Sequence, residues 1–199
     1  MSAETCPIMK FIRPLMVAWV TALSLGLAAC SPDEPRAAQA SSVATTQALD
    51  VLAAEGKGFA VGATVAARTV YVLFDPQCPH CGHLWEAARP LLGKARFVWL
   101  PVAFISPKSL PQGAALLQSA QPKEAMDAHE KSLLAGTGGM AAAANVPDDI
   151  RAAIERNTQL LNRLGAESVP LIVTRSPTGQ SVQHAGAMET AALAAFIGL

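Results

Sequence analysis

Two cysteines spaced two residues apart are the part of this sequence best suited to chemistry. They stand in the segment Cys78-Pro79-His80-Cys81. Between a buried strand and a helix, such a pair is typical of a redox-active dithiol, in which one thiolate attacks a disulfide and the second thiol resolves the mixed disulfide. Cys78 comes at a predicted helix start, where unpaired amides and the helix dipole favour a thiolate. We therefore expect Cys78 to be the nucleophile and Cys81 the resolving thiol.

The histidine between the two cysteines is a further candidate for the site. An imidazole at His80 can place a positive charge or a hydrogen-bond donor near the Cys78 sulfur. We expect it to lower the pKa of Cys78, which would make the disulfide more oxidising because the reduced form is stabilised.

Three other interpretations of the pair stay open: metal binding through Cys78, Cys81 and His80 or His83, a static structural disulfide, and unreactive buried thiols. A structural zinc site usually needs four ligands. The chain has four histidines in all and no second Cys-x-x-Cys. We expect redox chemistry with no metal and no cofactor, and a copper- or zinc-binding metallochaperone module is the alternative from another functional class.

The elements around the motif follow from apolar patterning. Residues 69–74 form a continuous apolar, β-branched run that predicts a central buried strand. Pro79 suits the first position of a helix, and Pro90 should kink that helix. Residues 96–104 predict a second strand, which Pro101 would make irregular near its end or place at an edge.

The rest of the chain is mainly helical before a final hairpin. Asp148 and Asp149 put negative charge at the start of the best-defined helix, and Gly165 suits its C-terminal cap. The predicted elements after the second strand are helices at 112–120, 123–134 and 148–164, hairpin strands at 171–174 and 181–185, and a closing helix at 188–197.

The first thirty residues have the three parts of an export signal. Lys10 and Arg13 precede an apolar run over residues 15–27, which closes on Leu-Ala-Ala before Cys30. This resembles the lipobox of bacterial lipoproteins, so we expect a signal peptide at 1–29 and lipidation of Cys30. A transmembrane anchor and an ordinary secretory signal are the alternatives. We expect Met9 to be the true start, because it gives a compact signal.

A flexible tether is predicted to follow the signal. Residues 31–47 are mostly Ser, Ala, Thr, Pro and Gln. These side chains bury too little apolar surface to offset the conformational entropy that the chain would lose on folding. A short helix at 48–54 completes the segment 30–54, and a catalytic domain is predicted at 55–199. The chain has equal numbers of basic and acidic residues, and removal of 1–29 leaves a formal charge near −1. No nucleic-acid footprint is present.

A family resemblance rests on these same motifs. The segment from Phe74 to Cys81, followed by Trp85 and Ala88-Arg89-Pro90, resembles the catalytic domain of the DsbG and DsbC family of periplasmic thiol-disulfide interchange proteins. The similarity continues to Val169-Pro170 and covers about residues 55–199. It implies an α/β, thioredoxin-like fold with a helical insertion. It also makes Pro170 the family's cis-proline, which with Val169 helps to dock extended substrate backbone.

The sequence departs from that family in two respects, and both bear on function. The family's N-terminal dimerisation module has no counterpart here, so we expect a monomer and doubt isomerase activity. The dipeptide Pro79-His80 is that of the oxidase DsbA. Val169, the residue before the proline, also matches DsbA better than it matches DsbG and DsbC, which usually have a threonine there. We therefore expect an oxidising thiol-disulfide oxidoreductase in the periplasm. A reductase or isomerase acting on disulfides or sulfenic acids, kept reduced by a membrane donor, is the alternative.

The expected partners follow from that activity and from the predicted anchor. They are exported proteins with thiols or disulfides, a membrane redox partner, and the membrane itself through the lipid on Cys30. Ser31 after this cysteine favours the outer membrane by the usual bacterial sorting pattern.

Overall fold

A mixed sheet lies at the centre of the protein. The computed structural model describes residues 43–65 and 68–199. Within these residues the strands are β1 (Phe59–Gly62), β2 (Thr69–Phe74), β3 (Arg96–Pro101), β4 (Leu171–Arg175) and β5 (Ser181–Ala185). Their order in the sheet is β1-β3-β2-β4-β5. The predicted signal peptide, most of the tether and Cys30 lie outside the described residues.

The middle strand is the one that the apolar run predicts. Strand β2 runs parallel to β3, with Thr69 opposite Arg96, and antiparallel to β4, with Val72 opposite Ile172. Since it is covered on both faces, every position from Val72 to Phe74 is buried. Strands β4 and β5 form the predicted antiparallel hairpin.

Six helices cover the sheet in the described part of the chain. They are α1 (Ala48–Glu55), α2 (Pro79–Ala88), α3 (Ser109–Leu117), α4 (Pro122–Leu134), α5 (Asp148–Arg163) and α6 (Thr190–Ile197). Helices α3 to α5 are the insertion between β3 and β4. Among them α4 packs on α2, and α5 packs on α3 and β3. The insertion therefore reaches the helix that carries the two cysteines.

Helix α2 begins and ends where its prolines predict. Pro79 is its first residue, and after Ala88 the chain tightens into a 3-10 turn, Arg89–Leu91, that contains Pro90. Pro90 has no amide hydrogen to give to the preceding turn, so the α-helix cannot continue through it. The α-helix thus ends just before Pro90, where a kink in a longer helix was predicted.

The structure corrects three predicted element boundaries. Strand β1 is absent from the prediction because it is only four residues long and stands among glycines. It forms by pairing antiparallel with β3, where a Cβ on Gly58 would collide with the Trp99 carbonyl oxygen. Strand β3 ends at Pro101 rather than at residue 104, and because β1 covers it, it is not an edge strand. The helix predicted at 112–120 is Ser109–Leu117.

Helix α1 belongs to the packed core, which corrects the domain boundary predicted at residue 55. Its residues Ala48 and Leu52 have no exposed surface. At its end the Glu55 carboxylate pairs with Arg163 of α5 at 2.7 Å. The helix packs because its small apolar face fits against β4 and α5. The composition of the segment 30–54 does not show this contact.

An aromatic cluster lies beneath the cysteine motif. The ring of Trp99 packs edge to face on Phe74 at 5.5 Å and on Trp85 of α2 at 5.1 Å. These contacts fix α2 on the sheet, so the end of β2 and the start of α2 hold a constant geometry.

In the described residues no helix has both the length and the apolar character needed to cross a membrane.

Candidate active site

Cys78 lies in the short turn that joins β2 to α2. It is the residue before the first helical position, with extended backbone angles, and its amide donates to the Asp75 carbonyl at 2.9 Å. Its side chain is 5% exposed, whereas Cys81, one turn into the helix, is fully buried. Both thiols are free. The motif therefore leaves Cys78 slightly exposed and Cys81 completely buried.

The surroundings of Cys78 stabilise its thiolate. They lower its pKa from 9.0 to about 6, chiefly through a hydrogen bond donated by the Cys81 thiol. Burial opposes this effect, since it disfavours a charge. The amides of Cys81 and His80, at the open N-terminus of α2, also lower the pKa. The largest stabilising effect on this thiolate thus comes from its own partner cysteine.

His80 contributes less than the sequence suggests. Its positive charge lowers the pKa of Cys78, but this effect is the smallest of those acting on the sulfur. The side chain is exposed, with its ring centroid 6.4 Å from that of His83, which is exposed too. Water screens a charge in that position. The backbone amide of His80 acts on Cys78 more strongly than its imidazole does.

Cys81 has the opposite electrostatic character. Burial raises its pKa well above 9.0, and both its hydrogen bond to Cys78 and the negative charge there raise it further. The Glu130 carboxyl adds to this effect. The two sulfurs therefore differ as exchange chemistry requires, with one thiolate and one thiol at neutral pH.

The distant segment Val169-Pro170 faces the cysteines. Its peptide bond is cis, as the family resemblance implies. The Val169 carbonyl oxygen lies 3.6 Å from the Cys78 sulfur, a contact that a protonated thiol can make as donor. The Gly186 amide fixes the Pro170 carbonyl at 2.8 Å. The structure thus brings together Cys78, Cys81 and this segment, and leaves the His80 side chain at the surface.

Asp75 does more than end a strand, which is the role that the sequence indicates. It is fully buried, and its Oδ1 accepts from the Gln77 amide at 2.9 Å and from the Ser109 hydroxyl at 2.6 Å. Its Oδ2 accepts from the amides of Phe104 and Ile105 at 3.0 and 3.1 Å. One carboxylate therefore ties the active-site turn to the loop after β3 and to the start of α3.

A buried histidine ties the same turn to the insertion. The Met140 amide donates to Nδ1 of His129 at 3.1 Å, so Nε2 carries the hydrogen and donates to the Pro76 carbonyl at 2.7 Å. Burial lowers the pKa of His129, which keeps the ring neutral in this arrangement. Nothing in the sequence near Cys78 points to this residue.

Two glutamine side chains make a second link between the turn and the insertion. Gln77 donates to Gln112 at 2.6 Å and to the Gly138 carbonyl at 3.1 Å. Gln112 in turn donates to the carbonyls of Gly138 and Met140 at 2.9 and 2.8 Å. The helical insertion therefore supports the cysteine turn from one side, a contact that sequence separation hides.

The remaining candidate side chains are placed as follows. Trp85 is buried, and its Nε1 donates to Asp127 at 2.9 Å. His83 is exposed on α2. Across residues 43–65 and 68–199, no three histidine, cysteine, aspartate or glutamate side chains converge in an arrangement that could hold a metal ion.

Comparison with known proteins gives relatives of one kind. No family model matches the sequence. The thiol:disulfide interchange protein DsbG of Pseudomonas aeruginosa is 34% identical over 139 residues, which are 69% of this chain and 54% of that protein. The chain spans about half the length of the curated relatives it matches.

Solved structures agree on the fold. The catalytic domain of Proteus mirabilis ScsC superposes with a TM-score of 0.61 at 18% identity, over 77% of this chain and 96% of that one. A periplasmic thioredoxin-like protein from Salmonella enterica serovar Typhimurium gives 0.59 at 16% identity, over 76% and 94%. These likenesses establish a thioredoxin-like fold. With the identity to DsbG, they show that this chain is similar, over about half the length of those relatives, to thiol:disulfide interchange proteins of the DsbG type.

Proposed function

We propose that this protein is a periplasmic thiol-disulfide oxidoreductase that passes its Cys78–Cys81 disulfide to exported proteins. The observation that carries the proposal is the contrast between the two sulfurs: Cys78 has a pKa of about 6, and Cys81 is a buried thiol that donates to it. A stabilised thiolate favours the reduced form of the enzyme, and hence the transfer of its disulfide to a substrate.

The exchange takes place in two displacements. A substrate thiolate attacks the Cys78 sulfur, the Cys78–Cys81 bond breaks, and its electron pair and a proton end on Cys81. A second substrate thiolate then attacks the substrate sulfur of the mixed disulfide, and Cys78 leaves as a thiolate. The substrate loses two electrons, and the enzyme gains them. Cys78 suits the role of leaving group because a low pKa accelerates departure.

The size of the electrostatic contribution can be worked out from the Cys78 pKa. A shift from 9.0 to about 6 stabilises the reduced protein by about 1.4 kcal/mol at pH 7, because only part of the shift lies below that pH. For a two-electron couple this equals about 30 mV. The pKa of Cys78 therefore accounts for part of an oxidising potential, and other differences between the two redox states must supply the rest.

The substrate and location are proposed on related grounds. Val169 and Pro170 face Cys78, and we assign them to contact with extended substrate backbone. The curated relatives are thiol:disulfide interchange proteins, and the Salmonella neighbour is described as periplasmic. The predicted signal peptide and lipidated Cys30 would tether a monomer to a membrane, the outer membrane by the sorting pattern, with a membrane redox partner in reach.

Redox titration tests the activity directly. The full chain, with Cys6 and Cys30 replaced by serine, is equilibrated with glutathione buffers, and its thiols are trapped and counted. We expect a potential more positive than that of thioredoxin, roughly −270 mV. Its pH dependence should halve above about pH 6, where reduction takes up one proton instead of two. The Cys78→Ser variant should show no two-electron couple.

A potential at or below that of thioredoxin would contradict the oxidising direction. Such a value would favour a reductase that a membrane donor keeps reduced. Location is tested separately by metabolic labelling with a fatty acid and by fractionation. Cys30→Ala should lose the label and leave the membrane fraction, and a protein that keeps its membrane association would refute the lipid anchor.

A further inference from the structure

A buried histidine on the helical insertion supports the turn that carries Cys78. His129 of α4 has no exposed surface. Its Nε2 donates to the Pro76 carbonyl at 2.7 Å, and its Nδ1 accepts from the Met140 amide at 3.1 Å. Both nitrogens of the ring are therefore paired, one with the active-site turn and the other with the loop after α4.

The Pro76 carbonyl depends on the bond from this ring. Pro76 is buried two residues before Cys78, and a buried carbonyl without a donor costs free energy. The donor that reaches it, His129, is 53 residues away in the chain. Because the peptide unit is planar, the direction of this carbonyl sets the orientation of the peptide between Pro76 and Gln77, and hence the path of the turn into Cys78.

The loop after α4 fixes the ring in this orientation. At Gly139 the backbone has a φ of 83°, and a Cβ there would lie 2.5 Å from Cε1 of the His129 ring. Glycine thus lets the loop close over the ring. The Gly138 carbonyl of the same loop accepts from the side chains of Gln77 and Gln112, at 3.1 and 2.9 Å. The ring, the loop and the active-site turn are therefore connected to one another.

The turn also faces the segment that we assign to substrate. The Cys78 sulfur lies 3.6 Å from the Val169 carbonyl oxygen, so a peptide docked along Val169 and Pro170 meets the sulfur at a defined position. A displacement of about 1 Å can slow a reaction by about 100-fold, because the reacting atoms lose their alignment. A small reagent that needs no docking does not have this constraint.

We propose that His129 is a positioning residue for disulfide exchange: through the Pro76 carbonyl it holds the active-site turn in register with a docked substrate, and it does so as a neutral ring. This assignment rests on the proposed exchange activity. It gives the helical insertion a part in aligning the substrate with Cys78.

The charge state of the ring decides whether these contacts persist. Protonation would place a hydrogen on Nδ1, facing the Met140 amide hydrogen, so the contact that orients the ring would become repulsive. Burial lowers the pKa of His129 and so favours the neutral ring, while the negative charge of Asp75 opposes this effect. Asp75 is the charged group whose field acts on the ring within the described chain. The loop after α4 and Gln112 of α3 present uncharged groups on this side.

Two substitutions at this position separate the hydrogen-bond donor from the charge. His129→Gln keeps an amide donor for the Pro76 carbonyl but cannot titrate, whereas His129→Leu removes the donor. Oxidised full-length protein, with Cys6 and Cys30 replaced by serine, is mixed with an extended peptide that carries two cysteines. The rate at which the peptide disulfide forms is measured after quenching with acid. The rate at which dithiothreitol, which needs no docking, reduces the same protein is the reference.

Each variant has its own expected result. At neutral pH His129→Leu should oxidise the peptide roughly 10- to 100-fold more slowly than wild type, with its reduction by dithiothreitol unchanged, and His129→Gln should match wild type in both assays. As the pH falls below 6.5, the ratio of the wild-type to the His129→Gln peptide rate should fall, because only the histidine ring becomes charged. His83→Gln, at an exposed position on α2, should follow wild type throughout.

Other outcomes would overturn the proposal. If His129→Leu slowed peptide oxidation and dithiothreitol reduction by the same factor, or slowed neither, His129 would have no role in alignment. A rate ratio that stayed constant down to the pH at which the protein unfolds would refute the dependence on a neutral ring. A wild-type protein that cannot oxidise the peptide would instead contradict the proposed function. The same variants would then be compared in reduction of the peptide disulfide, which has the same alignment requirement.

A measurement on the wild-type protein does not depend on the activity of the variants. Nitrogen NMR of protein with isotope-labelled histidine should show, at neutral pH, a ring with its hydrogen on Nε2 and none on Nδ1, whose signals are absent from His129→Gln. A charged ring, or one with its hydrogen on Nδ1, would overturn the proposal.

Discussion

The hydrogen bond from the Cys81 thiol to the Cys78 sulfur can be removed by one substitution, Cys81→Ala. This bond is the largest cause of the low pKa of Cys78. Hydrogen bonds to charged groups contribute about 1.5–3 kcal/mol, out of a total shift from 9.0 to about 6 that equals about 4 kcal/mol. Cys81→Ala should therefore reduce the acid dissociation constant of Cys78 by roughly 10- to 150-fold.

Two matched variants separate this bond from the alternatives. Cys81→Ser keeps a hydroxyl donor at the same position, so it should retain most of the effect. His80→Ala removes an exposed charge, whose contribution should be below about 1 kcal/mol because water screens it. The expected order of Cys78 pKa values is thus wild type and Cys81→Ser lowest, His80→Ala slightly higher, and Cys81→Ala highest.

The assay is the rate of alkylation of Cys78 by iodoacetamide as a function of pH. Cys6 and Cys30 are replaced by serine, and the buried thiol of Cys81 does not react in the same pH range because its pKa is raised. If His80→Ala shifted the midpoint more than Cys81→Ala did, the assignment of Cys81 as the larger influence on the Cys78 pKa would be wrong. A midpoint unchanged by Cys81→Ala would refute the thiol–thiolate hydrogen bond.

The other predictions concern stability. Asp75→Asn should lower the free energy of unfolding in urea by about 2–5 kcal/mol, because an amide cannot accept from all four donors around it. As a control, Asp149→Asn at the exposed start of α5 should change the free energy of unfolding by under about 1 kcal/mol. Equal losses in the two variants would refute the reasoning. Folding raises the pKa of Glu130 from 4.5 to about 9, so the free energy of unfolding falls as pH rises between these values. Folding lowers the pKa of Cys78 from 9.0 to about 6, so the free energy of unfolding falls as pH falls between these values. In the reduced wild-type protein these two groups should therefore give little net change in the free energy of unfolding between pH 6 and 9. Over this range Glu130→Gln should become more stable with rising pH and Cys78→Ser less stable, each by up to about 1.4 kcal/mol per pH unit. Parallel curves of unfolding free energy against pH for all three proteins would contradict both assignments.

Local chemistry made several elements readable from the sequence. The run Thr69–Phe74 is apolar at nearly every position, as a strand buried on both faces requires, so its own composition indicates a central strand. Pro79 and Pro90 mark the start of α2 and its end because a missing amide hydrogen acts within a single turn. Helix α5 likewise carries its charges and apolar face within one segment.

Elements that depend on a partner were less readable. Strand β1 has only four residues among glycines, and its pairing with β3 is what makes it a strand. The short helix predicted at 48–54 is present as α1, but the sequence placed it outside the catalytic domain, and only its burial against β4 and α5 shows that it belongs to the core. Asp75 looks like a turn former until the loop after β3 and the start of α3 bring three further donors to it.

The sequence by itself determined which atoms can react, because the Cys-x-x-Cys spacing and the helix start belong to one short segment. Only the tertiary structure decided how those atoms are tuned. Val169 is 91 residues from Cys78 and Glu130 is 48 residues past Gly82, so their approach depends on how the sheet and the helical insertion pack. The physical reason is that backbone preferences act over a few neighbouring residues, whereas burial and charge act through space on whichever groups the fold brings together.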